Sequence, residues 1–195
     1  MARVCLLGDD EVDLRYELLS RETAREALAT YDLRQPYHNS VALETVSLGA
    51  AVALLNDLNW YLVRFVEEAL VLEPSVSETE WLSRDLATAL RDDAITPDES
   101  DRFCKVYGVV TPDADSDGGA DVDGDGDADA DAGGDGAENG RERADDATGA
   151  TRRGPARRLV DPMFVTRTGP ELPEYDLRDV DETVVVRVTE SEFGA

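Results

Sequence analysis

The chain has 195 residues and carries 44 acidic against 19 basic side chains, a formal net charge of −25 with an isoelectric point near 4.1. That balance argues against nucleic acid as a partner, because phosphates repel an acidic surface. The longest apolar stretch, residues 48–71, contains Asp57, Arg64, Glu67 and Glu68, which excludes a plain membrane span of about 20 mainly apolar residues.

In chain order, residues 3–7 (R-V-C-L-L) read as a short buried strand, ended by Gly8 and the acidic turn Asp9-Asp10-Glu11. Residues 14–31 are dense in helix formers, with Leu14, Leu18, Ala24 and Leu28 at helical spacings. Within them residues 13–19 fit helix or strand, and Ser20 is placed to cap a helix start. Pro36 and Asn39-Ser40 mark a loop, and residues 41–46 (V-A-L-E-T-V) alternate as a second strand.

Ser47 stands where an N-cap would, ahead of Val52, Leu55, Leu62, Val66 and Leu70 at helical spacing. The spacing predicts one long central helix, ended by Pro74. S-E-T-E at 77–80 reads as a capping box that starts a helix running to about Arg91. Thr96-Pro97-Asp98-Glu99 predicts a single further turn, and residues 103–110 (F-C-K-V-Y-G-V-V) a strand.

Residues 111–157 differ in kind. Between 111 and 150 there is no aromatic residue and one β-branched aliphatic, Val122. Such a segment buries too little apolar surface to offset ordering costs of roughly 1–2 kcal/mol per residue, so a disordered acidic insert is expected. Strand patterns resume at residues 158–160 and 163–168, a loop covers 170–181, and 183–189 (T-V-V-V-R-V-T) is the clearest strand. Residues 103–110 and 159–168 would be sequence neighbours without the insert, and are expected to pair antiparallel. Lengthening their loop costs little, about 0.6 kcal/mol per doubling. The expected fold is one discontinuous α+β domain of residues 1–110 and 158–195. Its sheet is expected to be mostly antiparallel, with about four or five strands and two or three helices, one of them long and central.

The acidity is spread along the chain. Residues 111–150 hold 12 Asp and 2 Glu against 2 Arg, a net of −12, which leaves −13 on the other 155 residues. Of the 19 basic residues, 18 are Arg and one, Lys105, is Lys. A chain this acidic repels itself in dilute buffer, whereas at molar salt the Debye length falls to about 3 Å and the repulsion is nearly gone. The composition therefore predicts a halophilic protein. No secretory signal pattern is read near Met1, so a cytoplasmic location is expected. Cys5 and Cys104 both lie in apolar strand-like runs and are expected to be reduced core residues.

The motifs exclude more chemistry than they suggest. The run at 121–132 opens like a calcium loop with Asp121, Asp123, Asp125 and Gly126, but Ala132 stands where the bidentate Glu is needed. Arg152, Arg153, Arg157 and Arg158 form a basic cluster beside the insert, read as charge balance. His38 is the only histidine, which excludes multi-histidine metal sites and leaves one imidazole for any acid–base role. Asp9, Asp10 and Glu11 could hold magnesium at a strand end, though clustered acids are common in so acidic a chain. No phosphate loop or dinucleotide glycine pattern occurs, and no cofactor is expected.

The stretch N-D-L-N-W-Y-L-V-R at 56–64 interrupts an otherwise apolar helix. Asn56 and Asn59 share one face, while Asp57, Tyr61 and Arg64 lie along another. Amides buried in a helix either satisfy neighbouring groups or line a polar cleft. The candidate ligand-binding residues are therefore Asn56, Asn59, Trp60, Tyr61 and Arg64, with Trp60 or Tyr61 as a flat wall.

Residues 14–25 (L-R-Y-E-L-L-S-R-E-T-A-R), 56–66 (N-D-L-N-W-Y-L-V-R-F-V) and 175–193 (Y-D-L-R-D-V-D-E-T-V-V-V-R-V-T-E-S-E-F) together resemble an uncharacterised family of small haloarchaeal proteins. The resemblance covers the ordered parts; it implies an archaeal cytoplasm and no particular reaction. Two functional classes follow. One is a soluble non-catalytic binding or regulatory module, which binds a protein partner or self-associates through a sheet edge or the Val-rich last strand. The other is a small enzyme using carboxylates, with magnesium or His38, at a polar cleft on the central helix. A deep pocket holding Asn56, Asn59, Arg64 or His38 would favour the enzyme, and a flat apolar patch the module.

Overall fold

The computed structural model describes residues 1–111 and 157–194. The expectations of a disordered insert, a calcium-like loop and a basic cluster at Arg152 and Arg153 lie outside the described residues. Chain order is β1 (Ala2–Gly8), α1 (Leu14–Leu19), α2 (Glu22–Leu28), β2 (Ser40–Thr45), α3 (Leu48–Asp57), α4 (Asn59–Phe65) and β3 (Val66–Leu72). It continues with β4 (Trp81–Ser83), α5 (Arg84–Arg91), a 3₁₀ turn (Pro97–Glu99), β5 (Phe103–Val110), β6 (Arg158–Thr166), β7 (Glu182–Arg187) and α6 (Glu190–Phe193). The class is α+β.

The strands form one sheet in the order β2-β1-β3-β4-β7-β5-β6. Every pairing is antiparallel except β4 with β7, where Trp81 and Leu82 run parallel to Val186 and Arg187. The sheet is thus mixed and has seven strands where about four or five, mostly antiparallel, were expected. The two additional strands, β3 and β4, come from residues read as helix.

The long central helix is the main correction. It breaks at Leu58 (φ −86°, ψ 1°), which closes α3 and opens α4, and Val66 then turns extended (φ −117°, ψ 123°). Leu70, Val71 and Leu72 are all buried because β3 sits inside the sheet, between β1 and β4. A strand apolar on both faces shows no alternation, so its pattern also fits a buried helix.

The second correction is at 77–80. Ser77 Oγ does accept from Glu80 N at 3.0 Å, but the Glu80 carboxylate turns to Arg167 and Arg187 instead of reaching back. The box is half made, and the helix starts seven residues after Ser77, with Ser83 Oγ accepting from Leu86 N at 3.2 Å. Ser20 likewise closes α1, its N–H donating to Tyr16 O, instead of opening α2. Asp13 settles residues 14–19 as helix, since its carboxylate accepts from Tyr16 N at 2.9 Å.

Ser47 caps α3 as expected, and the turn at Thr96 forms its full capping box. β5 and β6 pair antiparallel from Phe103↔Thr166 to Val110↔Arg158. At the break in their register, Gly108 has no room for a side chain: an added Cβ would sit 2.5 Å from Val180 Cγ1.

One sheet face buries Val4, Leu6, Val71 and Leu82 against Leu14, Leu18, Ala51, Leu55 and Leu86 from the helices. The other face gathers Cys5, Leu7, Leu70, Tyr107, Val109, Val184 and Val186 around Tyr37. The sheet curls about this second face. Strands β2 and β6 are its two edges, about 29 Å apart if the sheet were flat at roughly 4.8 Å per strand. Yet His38 N, just before β2, donates to Arg157 O, just before β6, at 2.7 Å. Arg158 also pairs with Asp10 at 2.9 Å. Both cysteines are free and buried, as expected; burial pushes the Cys5 thiol up to about 12 and the Cys104 thiol to about 11.

Candidate functional site

Two surfaces hold the candidate groups considered for function: the outer side of α3 and α4, and the mouth of the curled sheet. On the first, Asn56, Asn59 and Arg64 are exposed. The two amides share one side-chain partner. Both Oδ1 atoms accept from one Arg84 guanidinium, at 3.3 and 2.8 Å, which ties α5 to the junction of α3 and α4. Tyr61 is half-buried and packs on the helical core.

Trp60 is 52% exposed and its neighbour Val63 77%. The indole is edge-on to Tyr61 and Phe65. Two guanidiniums lie on its ring, Arg64 at 5.0 Å and Arg21 at 5.5 Å from the centroid. The structure therefore brings Trp60, Tyr61 and Arg64 together and places Asn56 and Asn59 beside Arg84.

At the second surface a cleft of about 330 Å³ is lined by Tyr37, His38, Glu68, Tyr107, Arg158 and Pro162, among others. His38 reaches it from an exposed loop. That loop is fixed by Asn39, which holds a positive φ of 46°. Asn39 Oδ1 accepts from Leu14 N, and its Nδ2 donates to Asp9 O and Val12 O. Gly8 permits this approach, because a Cβ there would sit 2.5 Å from Asn39 Nδ2.

Glu68 of β3 faces β5 across the curl. Its Oε1 accepts from Tyr107 OH at 2.8 Å and from Lys105 Nζ. Burial first, and then the charge of Glu68, push the Tyr107 hydroxyl above its ordinary range, so it stays protonated. The Lys105 ammonium also lies 5.1 Å from the Tyr107 ring and 5.4 Å from that of Phe164. Sequence reasoning passed over Glu68, Lys105 and Tyr107. The signal for one of them was in the composition, since Lys105 is the single lysine.

The acidic turn does not gather around a cation. Asp9 Oδ1 accepts from Glu11 N and Asp10 pairs with Arg158. Among the described residues no group of three His, Cys, Asp or Glu side chains is arranged to hold a metal ion. The Val-rich last strand, β7, is flanked by β4 and β5, so it is not an edge of the sheet. No helix among the described residues is long and apolar enough to cross a membrane.

The sequence model of a family of unknown function, DUF5804, matches residues 2–109. The match stops one residue before the end of β5 and includes both surfaces' main residues, Trp60, Arg64, Glu68, Lys105 and Tyr107. No curated protein and no solved structure matches.

Proposed function

We propose, for a chain that belongs to the DUF5804 family of unknown function, that it is a soluble binding module of a salt-rich cytoplasm whose contact face is the α4 surface around Trp60. The observation that carries this is the half-exposed indole with the Arg21 and Arg64 guanidiniums against its ring. Tryptophan and arginine dominate binding energy at protein interfaces, where the ring supplies area and the guanidinium supplies directed donors. Arg21 is already paired with Glu17 at 2.9 Å, so Arg64 is the one that offers its N–H donors to a partner carboxylate.

The partner that fits is a protein presenting an apolar side chain to Trp60 and Val63 with carboxylates beside it. Charge complementarity supports this choice: in a chain with 44 acids against 19 bases, cations gathered on one indole mark the place where another acidic surface is tolerated. Asn56, Asn59 and Tyr61 form the rim of the same face in this reading. Residues 1–110 and 158–195 act as one discontinuous domain that presents it.

A pull-down at molar potassium chloride tests the proposal, with Trp60→Ala and Arg64→Glu run beside Leu177→Ala, a change at an exposed leucine elsewhere. A partner retained by the wild type and by L177A but lost from W60A and R64E is expected. Equal retention by W60A overturns the reading. The enzyme reading keeps one observation in its favour, His38 on the wall of the Glu68–Tyr107 cleft.

A further inference from the structure

We propose that residues 163–166, the far end of β6, pair antiparallel with the same stretch of a second copy, so that two chains join their sheets edge to edge. This goes beyond the docking face on α4 and does not depend on it.

The two edges of the sheet are protected differently. Along β2, Ala42 exchanges both backbone bonds with Arg34, each at 2.8 Å, and Glu44 adds an exposed carboxylate at the same edge. Covered backbone and charge are the usual ways to blunt an edge strand. The first half of β6 is blunted too. Its register with β5 shifts between Val160 and Met163, Asp161 holds a positive φ of 38°, and Tyr175 OH donates to Asp161 O at 2.9 Å. Pro162 has no N–H to offer.

Beyond Pro162 the ladder is regular and its outer side is open. Arg167 N donates to Arg102 O at 2.7 Å, so Arg167, and with it Val165 and Met163, turn their backbone groups toward β5. The same alternation turns the N–H and C=O of Phe164 and Thr166 outward, where no described residue bonds them. Phe164 is 46% exposed, with one side of its ring against Phe193 at 6.1 Å.

A second copy fits this edge because the free stretch is short and neutral. Residues 162–166 (P-M-F-V-T) carry no charge in a chain of net −25, so two copies meet there with the least local repulsion, and molar salt screens the remainder. A longer strand would run against Pro162 and Tyr175, whereas the second copy's free stretch ends at the same place. A two-fold axis at Val165 sets Phe164 opposite the second copy's Thr166, and Thr166 opposite its Phe164. Each of these pairs exchanges both backbone bonds, and the contact is self-complementary as a two-fold interface must be. The two Phe164 rings become diagonal neighbours, a spacing that aromatic side chains span. A register centred on Phe164 would set Thr166 opposite Pro162 and lose a donor.

Sedimentation of the full chain in molar potassium chloride tests this, between about 10 μM and about 1 mM because a contact of small area gives a weak dimer. The mass is expected to rise from one chain toward two across that range. Amide hydrogen exchange by NMR at both ends of the range reads the register without any variant: Phe164 and Thr166 amides are expected to gain at least tenfold protection at the high concentration. Thr166→Pro removes an outward donor and leaves the β5 ladder bonded, so it should weaken dimerisation at least tenfold, while Trp60→Ala leaves it unchanged. A wild type that stays monomeric throughout overturns the proposal. So does a dimer in which the Phe164 and Thr166 amides gain no protection, or one that W60A abolishes, since either places the contact elsewhere.

Discussion

Glu80→Gln should destabilise the protein by about 3 kcal/mol at neutral pH, at the low end for breaking a buried ion pair. Glu80 joins parts of the chain far apart in sequence. Its Oε1 lies 2.5 Å from Arg167 and its Oε2 2.5 Å from Arg187 Nε. The three side chains are 17, 13 and 11% exposed. Glutamine keeps the shape and one acceptor but leaves two nearly buried guanidiniums facing each other without a counter-charge. Asp101, 3.5 Å from Arg167, offsets part of that. The cost of breaking the cluster exceeds its net worth, because its charges were desolvated to form it and the buried Arg167 Nε–H has no hydrogen-bond partner.

At roughly 2–4 °C per kcal/mol for a chain of this size, the melting temperature should fall by about 6–12 °C. Circular dichroism melts in molar potassium chloride read this directly. The pH dependence adds a second check. Burial alone would raise the Glu80 carboxyl, but the hydrogen bonds and charges of Arg167 and Arg187 hold it below its usual value. A carboxyl lowered in the folded state stabilises fully above its unfolded value of about 4.3, and that contribution is lost as pH falls through the folded one. The gap between wild type and variant should therefore be complete at pH 7 and close in strong acid. Coincident melts at pH 7, or a gap of constant size down to acid, would refute this account of the cluster.

Asn39→Ala should cost about 2 kcal/mol, since it removes the three bonds by which the Asn39 side chain holds the β1–α1 loop and places alanine at positive φ; urea melts measure it. Cys5 and Cys104 should resist iodoacetamide in the native state at pH 8, because both thiols are buried and raised to about 12 and 11. They should become alkylated only at the rate of unfolding, and rapid native labelling would contradict their burial. Replacing residues 112–156 with a four-residue turn should leave melting temperature and salt dependence within a few degrees of wild type. A chain that fails to fold after that change would mean the segment belongs to the structure.

How much of this was legible follows from what each pattern encodes. Local signals at caps and turns were read where the capping side chain stayed local, as at Ser47 and Thr96. They misled at Ser77, because long-range ion pairs claimed Glu80 and no window of sequence shows Arg167 and Arg187 nearby. β3 was hidden by its own burial, since a central strand loses the alternation that identifies strands at a solvated face. The pairing of β5 with β6 was legible because deleting 111–157 makes them neighbours. Among the candidate site residues, aromatic and charged types within one helical run pointed to Trp60, Tyr61 and Arg64. The Glu68–Lys105–Tyr107 group depends on the curl of the sheet, which brings together β3 and β5 although β4 and β7 lie between them in the sheet order; only the rarity of lysine hinted at it.

The pairing of Val110 with Arg158 has a practical use. Opposed residues of an antiparallel pair lie about 5 Å apart, so the chain leaves the sheet and re-enters it at almost one point. That makes the β5–β6 junction an insertion port. A reporter whose own termini lie close together, such as a circularly permuted fluorescent domain, can be spliced between 111 and 157 with little tension on the strands. Its emission would then report whether β5 and β6 remain zipped as salt is withdrawn, a readout independent of any partner.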